Sequence, residues 1–185
     1  LVREQEALSR ISLAKSRNLT PDKLVGGDEE DLVARVQAAQ TAWRQAGELP
    51  REAIRYEGPS TLYLAGDVQA LETAVLNLLD NAVKYSKDGV KIEVEVWSHG
   101  DGQAHLLVRD HGMGIPRTQL PFIFTRFYRI GSEVRRSRTG TGLGLFIVRS
   151  VVKGHRGAIN ADGPGPGRGS TFTITLPGLM ETESE

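Results

Sequence analysis

The stretch LETAVLNLLDNAVKYSKDG, residues 71–89, decides how the rest of the chain reads. Asp67 stands ahead of it as a helix cap, and the periodicity predicts a helix through about Tyr85. At 100° per residue, Leu71, Val75, Leu78, Leu79, Ala82 and Val83 spread over one side. Asn77, Asn81, Lys84 and Tyr85 fall on the other, within a stripe roughly 100° wide. The plain reading of such a stripe is the solvated side of an amphipathic helix. The residue types argue against it, because asparagine is a mediocre helix former and a merely solvated face favours Glu, Lys or Ala. Two amides one turn apart, then an ammonium and a phenol, offer oxygen to a hard cation and positive charge to phosphate. That is a Mg²⁺–phosphate surface in outline.

Three further segments lie downstream. Asp110-His-Gly-Met-Gly-Ile115 follows directly on a strand-like run. A carboxylate at a strand end can accept from an exocyclic amine, and two glycines beside it let backbone approach a planar base. Alone the motif is weak, since Asp and Gly dominate any turn. Gly140-Thr-Gly-Leu-Gly144-Leu opens a helix, where free N–H groups face phosphate. It is neither a Walker loop, which needs Gly-Lys-Ser/Thr, nor the GxGxxG dinucleotide fingerprint that follows a strand. Between these two segments run Arg126, Arg129, Arg135, Arg136 and Arg138, with Glu133 the single acid. A basic loop is ordinarily a solvated one, but in this position it reads as a mobile lid that pairs phosphate oxygens.

Around these motifs the chain alternates helix and strand. Residues 1–17 read as a helix with Leu1, Leu8 and Ile11 on a seam too thin to stand alone, the tail of a helical pair. Pro21 and Gly26–Gly27 mark a linker, and a second helix is expected from about Glu29 to Gln45, ended by Gly47 and Pro50. Strands are expected around Ala53–Tyr56 and Thr61–Ala65, with Gly58–Pro59 turning between them. Val90–Trp97 and Ala104–Arg109 should form a hairpin, and Ala158–Ala161 and Thr171–Leu176 two later strands. Residues 111–141 are loop-rich, with one apolar segment at Leu120–Phe127, and a helix runs from about Leu143 to Lys153. The tail METESE reads as disordered. Strands in hairpins mixed with helices predict an α+β, two-layer sandwich, its sheet mostly antiparallel and its helices on one face.

Composition narrows the function classes. The 185 residues suit one domain with a short appendage, and 23 Lys+Arg against 23 Asp+Glu give no net charge to favour nucleic acid or a membrane surface. With no Cys, disulfides, thiolate catalysis and Cys-based zinc sites are excluded. No apolar run approaches the roughly 18–20 residues of a spanning helix. Of 21 glycines, 15 lie after residue 99, which points to where the chemistry is. The first residue is Leu1 rather than Met, so a piece of a longer protein is expected.

In order, NLLDNAVKYS, DHGMGIP, FIFTRFYR, GTGLGLFIV and GRGSTFTITLP resemble the N, G1, F, G2 and G3 boxes of the sensor histidine kinase catalytic domain. That domain has the Bergerat ATP-binding fold, shared with gyrase B, mismatch-repair MutL and heat-shock chaperone ATPases. The resemblance implies a catalytic ATP-binding domain over residues 28–178. Before it would come the end of a dimerisation and phosphoacceptor hairpin at 1–18 and a linker at 19–27, and after it a tail at 179–185. It implies ATP and Mg²⁺ as cofactors, with Asn81 the metal ligand, Asn77 supporting it, and Lys84 and Tyr85 reaching the phosphates. Asp110 would accept the adenine amine, with Gly112, Gly114 and Ile115 shaping the base pocket. Arg129 would contact phosphate, and Gly140, Thr141, Gly142, Leu143, Gly144 and Leu145 would close over it, with Ser170 also at the nucleotide. Catalytic roles would fall to Asn77, Lys84 and Arg129. Phe124 and Phe127 stand in the F box, where the plain reading is core packing that anchors the lid.

One position separates branches of this superfamily. Hydrolytic members carry a Glu one helical turn before the metal-binding Asn; here that position is Asn77, an amide that cannot act as a base. Asp80 is adjacent to Asn81 but about 100° away around the helix. The nucleotide is therefore expected to be held for transfer. None of His99, His105, His111 and His155 sits in a phosphoacceptor pattern, so the acceptor is expected outside this chain, upstream of Leu1, and the chain alone should not autophosphorylate. The implied partners are the phosphoacceptor domain, a response regulator and a second copy in the full-length protein, with no nucleic acid. The implied location is a cytoplasmic domain of a membrane-anchored parent. Rival readings are a protein-serine kinase of the anti-sigma-factor type, a non-catalytic nucleotide-sensing module, and a hydrolytic ATPase, the last opposed by Asn77.

Overall fold

The computed structural model describes residues 29–31, separate helical positions between 33 and 45, and the segments 53–60, 62–86, 89–98, 102–130 and 141–177. The expectations for 1–18, 19–27, the tail at 179–185, His99, Gly140 and Arg135, Arg136 and Arg138 lie outside the described residues.

The Asn-bearing helix, α1 (Val68–Tyr85), begins where predicted. Asp67 Oδ1 accepts the Ala70 N–H at 3.0 Å, satisfying a donor that the first turn leaves open. Its predicted apolar side is the side that packs: Leu71, Val75, Leu78, Leu79 and Ala82 are all at most 3% exposed. The helix stops at Ser86, whose hydroxyl turns back to the Ala82 carbonyl at 2.7 Å.

Among the described residues seven strands accompany it: β1 (Glu29–Asp31), β2 (Ile54–Glu57), β3 (Tyr63–Ala65), β4 (Ile92–Ser98), β5 (Gln103–Asp110), β6 (Ala158–Asp162) and β7 (Ser170–Pro177). Five of them form one sheet in the order β2-β4-β5-β7-β6, while β1 and β3 form a separate antiparallel pair. Along β4, β5 and β7 every second residue is buried, as period-2 sequence demands of a sheet with one covered face. The covered face meets α1 and α2 (Gly144–Gly154), which contributes Val148, Val151 and Val152. Val33 and Val36 complete this core. The α+β sandwich with a mostly antiparallel sheet is the expected architecture.

Two local expectations change. Glu29–Asp31 is not the first turn of the second helix; it pairs with Tyr63–Ala65, and the first described helical position is Val33. Three acids suit a helix N-terminus, but pairing with β3 overrides that preference. The segments around 54 and 63 do not pair with each other either. β2 runs parallel to β4, Ile54 opposite Ile92, because α1 returns the chain to the same sheet as a βαβ crossover.

His155, at the C-cap of α2, is a structural tie. Its Nε2 accepts the Asp67 N–H at 2.9 Å and its Nδ1 donates to the Val151 carbonyl at 2.8 Å. One buried imidazole therefore joins the start of α1 to the last turn of α2.

Candidate nucleotide-binding site

The polar stripe of α1 is not a solvated surface. Asn77 is 5% exposed, and its Nδ2 donates to the Thr73 carbonyl at 2.8 Å. The start of α2 lies against it: a Cβ on Gly144 would stand 3.0 Å from Asn77 Oδ1 and 3.7 Å from Asn81 Nδ2. The structure thus brings Asn77, Asn81 and Gly144 together, and only a residue without a side chain lets α2 approach the amides this closely. Asn81 remains partly exposed. Lys84 continues the stripe, its Nζ 5.6 Å from the centre of the Tyr85 ring.

A second cluster forms at the far end of the same helix. β5 ends in Asp110, which is 6% exposed, opposite the equally buried Ser170 on β7. Asp110 Oδ1 accepts the Gly112 N–H at 2.8 Å. Burial pushes the Asp110 carboxyl above its ordinary value, opposed by hydrogen bonds from Gly112 and Ser170 and by the charge of His111. Gly112 lies so close to α1 that a Cβ there would be 2.5 Å from the Tyr85 carbonyl oxygen. That carbonyl also takes the Met113 N–H at 3.0 Å. Ile115, 9% exposed, carries the turn into the core.

The turn is held from its other side by the loop between β6 and β7. Gly167 N–H donates to Met113 O at 2.7 Å, and Gly169 N–H to Gly112 O at 3.1 Å. Gly114 lies against the same loop, beside the Gly165 carbonyl. Gly167 and Gly169 stand in GRGSTFTITLP, the segment that resembles the G3 box, of which the sequence expectation names only Ser170 at the nucleotide; their backbone contacts with the Asp110 turn, and the part of the Tyr85 carbonyl, emerge only in the structure.

Helix rise sets the distance between the clusters. Asn77 to Tyr85 is eight positions, about 12 Å along α1. A buried acceptor for an amine, walled by glycine backbone, thus sits at one end. The Asn77 and Asn81 amides stand toward the other, beside the start of α2, while Lys84 is only one position before Tyr85. That spacing leaves room for a base at Asp110 and phosphates toward the amides.

The remaining predicted residues are less closely gathered. Thr141 and Arg129 are exposed, Leu143 is the N-cap of α2 without a side-chain cap bond, and Leu145 packs on the core. Gly142 joins Phe127, whose N–H donates to its carbonyl at 3.0 Å. The two F-box phenylalanines divide: Phe124 packs edge-on against Phe172, ring centres 6.5 Å apart, whereas Phe127 is 65% exposed. His105 lies stacked on Trp97 in the sheet and His111 pairs with Glu93 at 3.1 Å, so neither stands on a helix face as an acceptor. A separate groove of about 390 Å³ runs between Leu120, Phe124, Lys153 and Ile159. It includes none of the residues expected at the nucleotide and no carboxylate.

Residues 66–179 match the family model described as "Histidine kinase-, DNA gyrase B-, and HSP90-like ATPase". The chain is 33% identical over 169 residues to the sensor-like histidine kinase SenX3 of Mycolicibacterium smegmatis, covering 91% of this chain and 44% of that protein. It is 43% identical over 116 residues to the histidine-protein kinase/phosphatase MprB of Mycobacterium avium, covering 61% of this chain and 22% of that protein. The chain therefore spans less than half the length of either relative. The solved structure of the mycobacterial sensor histidine kinase MprB superposes with a TM-score of 0.70 at 33% identity, over 84% of this chain and 99% of that one. These relatives are histidine kinases, which sets aside the anti-sigma-type serine kinase. With the family model matching well over half of the chain, and a solved sensor-kinase domain matched along its whole length, the chain belongs to the ATP-binding catalytic domains of the sensor histidine kinases.

Proposed function

We propose that this domain binds Mg·ATP along α1 and transfers the γ-phosphoryl group to a histidine outside this chain, for relay to a response-regulator aspartate. The observation that carries the proposal is Asn77. At the position where a hydrolytic relative needs a carboxylate, the side chain is an amide, buried, with its Nδ2 engaged by Thr73. No general base stands there to activate water, so the nucleotide is kept for another nucleophile.

Asp110 and the glycine turns orient the base, while Lys84 and Arg129 neutralise phosphate charge. In the transfer, an imidazole nitrogen of the acceptor attacks the γ-phosphorus in line, the bond to the β–γ bridging oxygen breaks, and ADP leaves. Positioning and charge neutralisation supply most of such a reaction. The residues suit a Mg²⁺ that arrives with the nucleotide. Among the described residues no cluster of three or more His, Cys, Asp or Glu could cage a metal, and Asn81 offers one neutral oxygen, as a cation keeping phosphate and water ligands requires. Bound there, the ion would neutralise the phosphates.

The acceptor histidine belongs to a dimerising hairpin, making the full-length protein a homodimer. Among the described residues no helix is long and apolar enough to cross a membrane. Supply of ATP and of a response regulator puts this domain in the cytoplasm, whatever anchors its parent.

The test is transfer in trans. The chain is incubated with γ-labelled Mg·ATP and a histidine-bearing helical hairpin, with and without the hairpin's histidine. Acid-labile label on the intact hairpin, and none on this chain, is expected. Label on His105, His111 or His155, or rapid phosphate release indifferent to the hairpin, would overturn the proposal.

A further inference from the structure

Phe127 and Gly142 stand fifteen positions apart, yet their backbones are in contact. The Phe127 N–H donates to the Gly142 carbonyl at 3.0 Å, and both residues are left-handed, with φ of 61° and 69°. The approach is tight: a Cβ on Gly142 would lie 2.9 Å from the Phe127 carbonyl carbon and 3.0 Å from the Tyr128 oxygen. A bulky residue at positive φ is an outlier that persists only where its surroundings over-determine it. The Phe127 ring does not compensate by burial, since the residue is 65% exposed.

The surroundings hold the backbone. Tyr128 N–H donates to the Thr125 carbonyl at 3.2 Å, and the Tyr128 hydroxyl reaches Gln119. The Tyr128 ring packs on Phe122 with centres 5.8 Å apart. On the other side, the Arg126 guanidinium lies 5.2 Å from the centre of the Phe146 ring, tying this turn to the first turn of α2. Two residues beyond Gly142 comes Gly144, which presses on the Asn77 amide. The arm from Phe127 to the amides is therefore only three residues long once the hydrogen bond is made.

We infer that Phe127 is a positioning residue for the nucleotide site and that it acts through its backbone. Its left-handed turn and its N–H fix Gly142, and Gly142 sets where Gly144 meets Asn77 and Asn81. The aromatic ring, with the Arg126 guanidinium 5.6 Å from its centre, is not what fixes Gly142. The inference rests on the assignment of ATP to the α1 wall.

The test is a substitution series that separates backbone tolerance from aromatic character. Dissociation constants for Mg·ATP are measured by calorimetry, with the melting temperature of each nucleotide-free variant as a folding control. F127V, β-branched and hostile to positive φ, should bind about fivefold more weakly or worse. F127G and F127N, which accept positive φ and lack the ring, should rescue binding to within about twofold of the wild type. Gly142→Ala should lose affinity as F127V does. Amide exchange in the nucleotide-free chain supplies an independent readout: the residue-127 N–H should be protected in the wild type and in F127N, and lose protection in F127V. If F127G and F127N lose affinity as F127V does while F127Y retains it, the ring is what matters and the inference fails. It fails equally if F127V and Gly142→Ala both bind like the wild type. A wild-type chain that bound no nucleotide would refute the ATP assignment instead, and amide protection would still decide the backbone contact.

Discussion

Replacing Asp110 by Asn separates recognition from stability, because the two are predicted to move in opposite directions. The Asp110 carboxylate is 6% exposed, and burial raises its proton affinity despite hydrogen bonds from Gly112 and Ser170. An Asn side chain keeps an oxygen for the Gly112 N–H, now 2.8 Å from Asp110 Oδ1, and removes the buried charge. The nucleotide-free D110N domain should therefore be as stable as the wild type or more so. Its NH₂ group, however, opposes the adenine amine with a second donor, where the carboxylate accepts. Losing one charge-assisted bond in a buried site costs about 1–3 kcal/mol, roughly a 5- to 150-fold loss of affinity. Asp110→Ala gives the control: it leaves the Gly112 N–H without its acceptor and should also lower stability by about 1–3 kcal/mol. Calorimetry with Mg·ATP and urea unfolding of the same samples measure both quantities. If D110N unfolds as easily as D110A, or binds ATP like the wild type, the reasoning is refuted.

The same site sets a pH dependence. Between the ordinary Asp value of 3.8 and the raised folded value, the folded chain binds more protons than the unfolded one. This group's contribution to stability therefore falls as pH rises through that window. Affinity for ATP should do the reverse, failing on acidification at a higher pH than an ordinary Asp would dictate, and D110N should flatten that loss in a calorimetric pH series. Asn81→Ala should abolish the Mg²⁺ dependence of ATP binding; equal metal dependence in titrations with and without chelator would remove Asn81 as the ligand. Gly144→Ala should weaken ATP binding by about tenfold or more, because overpacking of this order costs about 1–3 kcal/mol, with a Cβ 3.0 Å from Asn77 Oδ1. His155→Phe should cost about 1–3 kcal/mol in urea unfolding, since it strips the acceptor from the Asp67 N–H and removes one of two donors from the Val151 carbonyl.

Some of this was legible in the sequence. The α1 helix announced itself through the Asp67 cap and a clean apolar side. β4, β5 and β7 did so through alternation over seven or eight residues. Of the polar stripe that composition sets apart from an ordinary solvated face, Asn77 is buried while Asn81, Lys84 and Tyr85 are partly exposed. What stayed hidden depended on long-range pairing. β1 is three residues long, too short for a period; β3 is expected as a strand around Thr61–Ala65, but its pairing with β1, like the parallel placement of β2, does not follow from its own residues. The contact of Gly169 with Gly112 and the tie made by His155 cross 57 and 88 positions. Local propensity says nothing about such contacts. Phe127 was legible as an aromatic in a motif, but its left-handed backbone was not, since propensity assigns that conformation to glycine or asparagine.

ATP is proposed to lie along one wall of α1, with its base at Asp110 and its phosphates at Asn81. An NMR titration of the isotope-labelled chain with Mg²⁺ and a non-hydrolysable ATP analogue tests it most directly, with adenosine alone as comparison. The account predicts that adenosine shifts the amides of Asp110, Gly112, Gly114 and Ser170, and that the triphosphate adds shifts at Asn77, Asn81, Lys84 and Gly144. Shifts confined to the groove between Leu120, Lys153 and Ile159, with the amides of α1 unmoved, would contradict it.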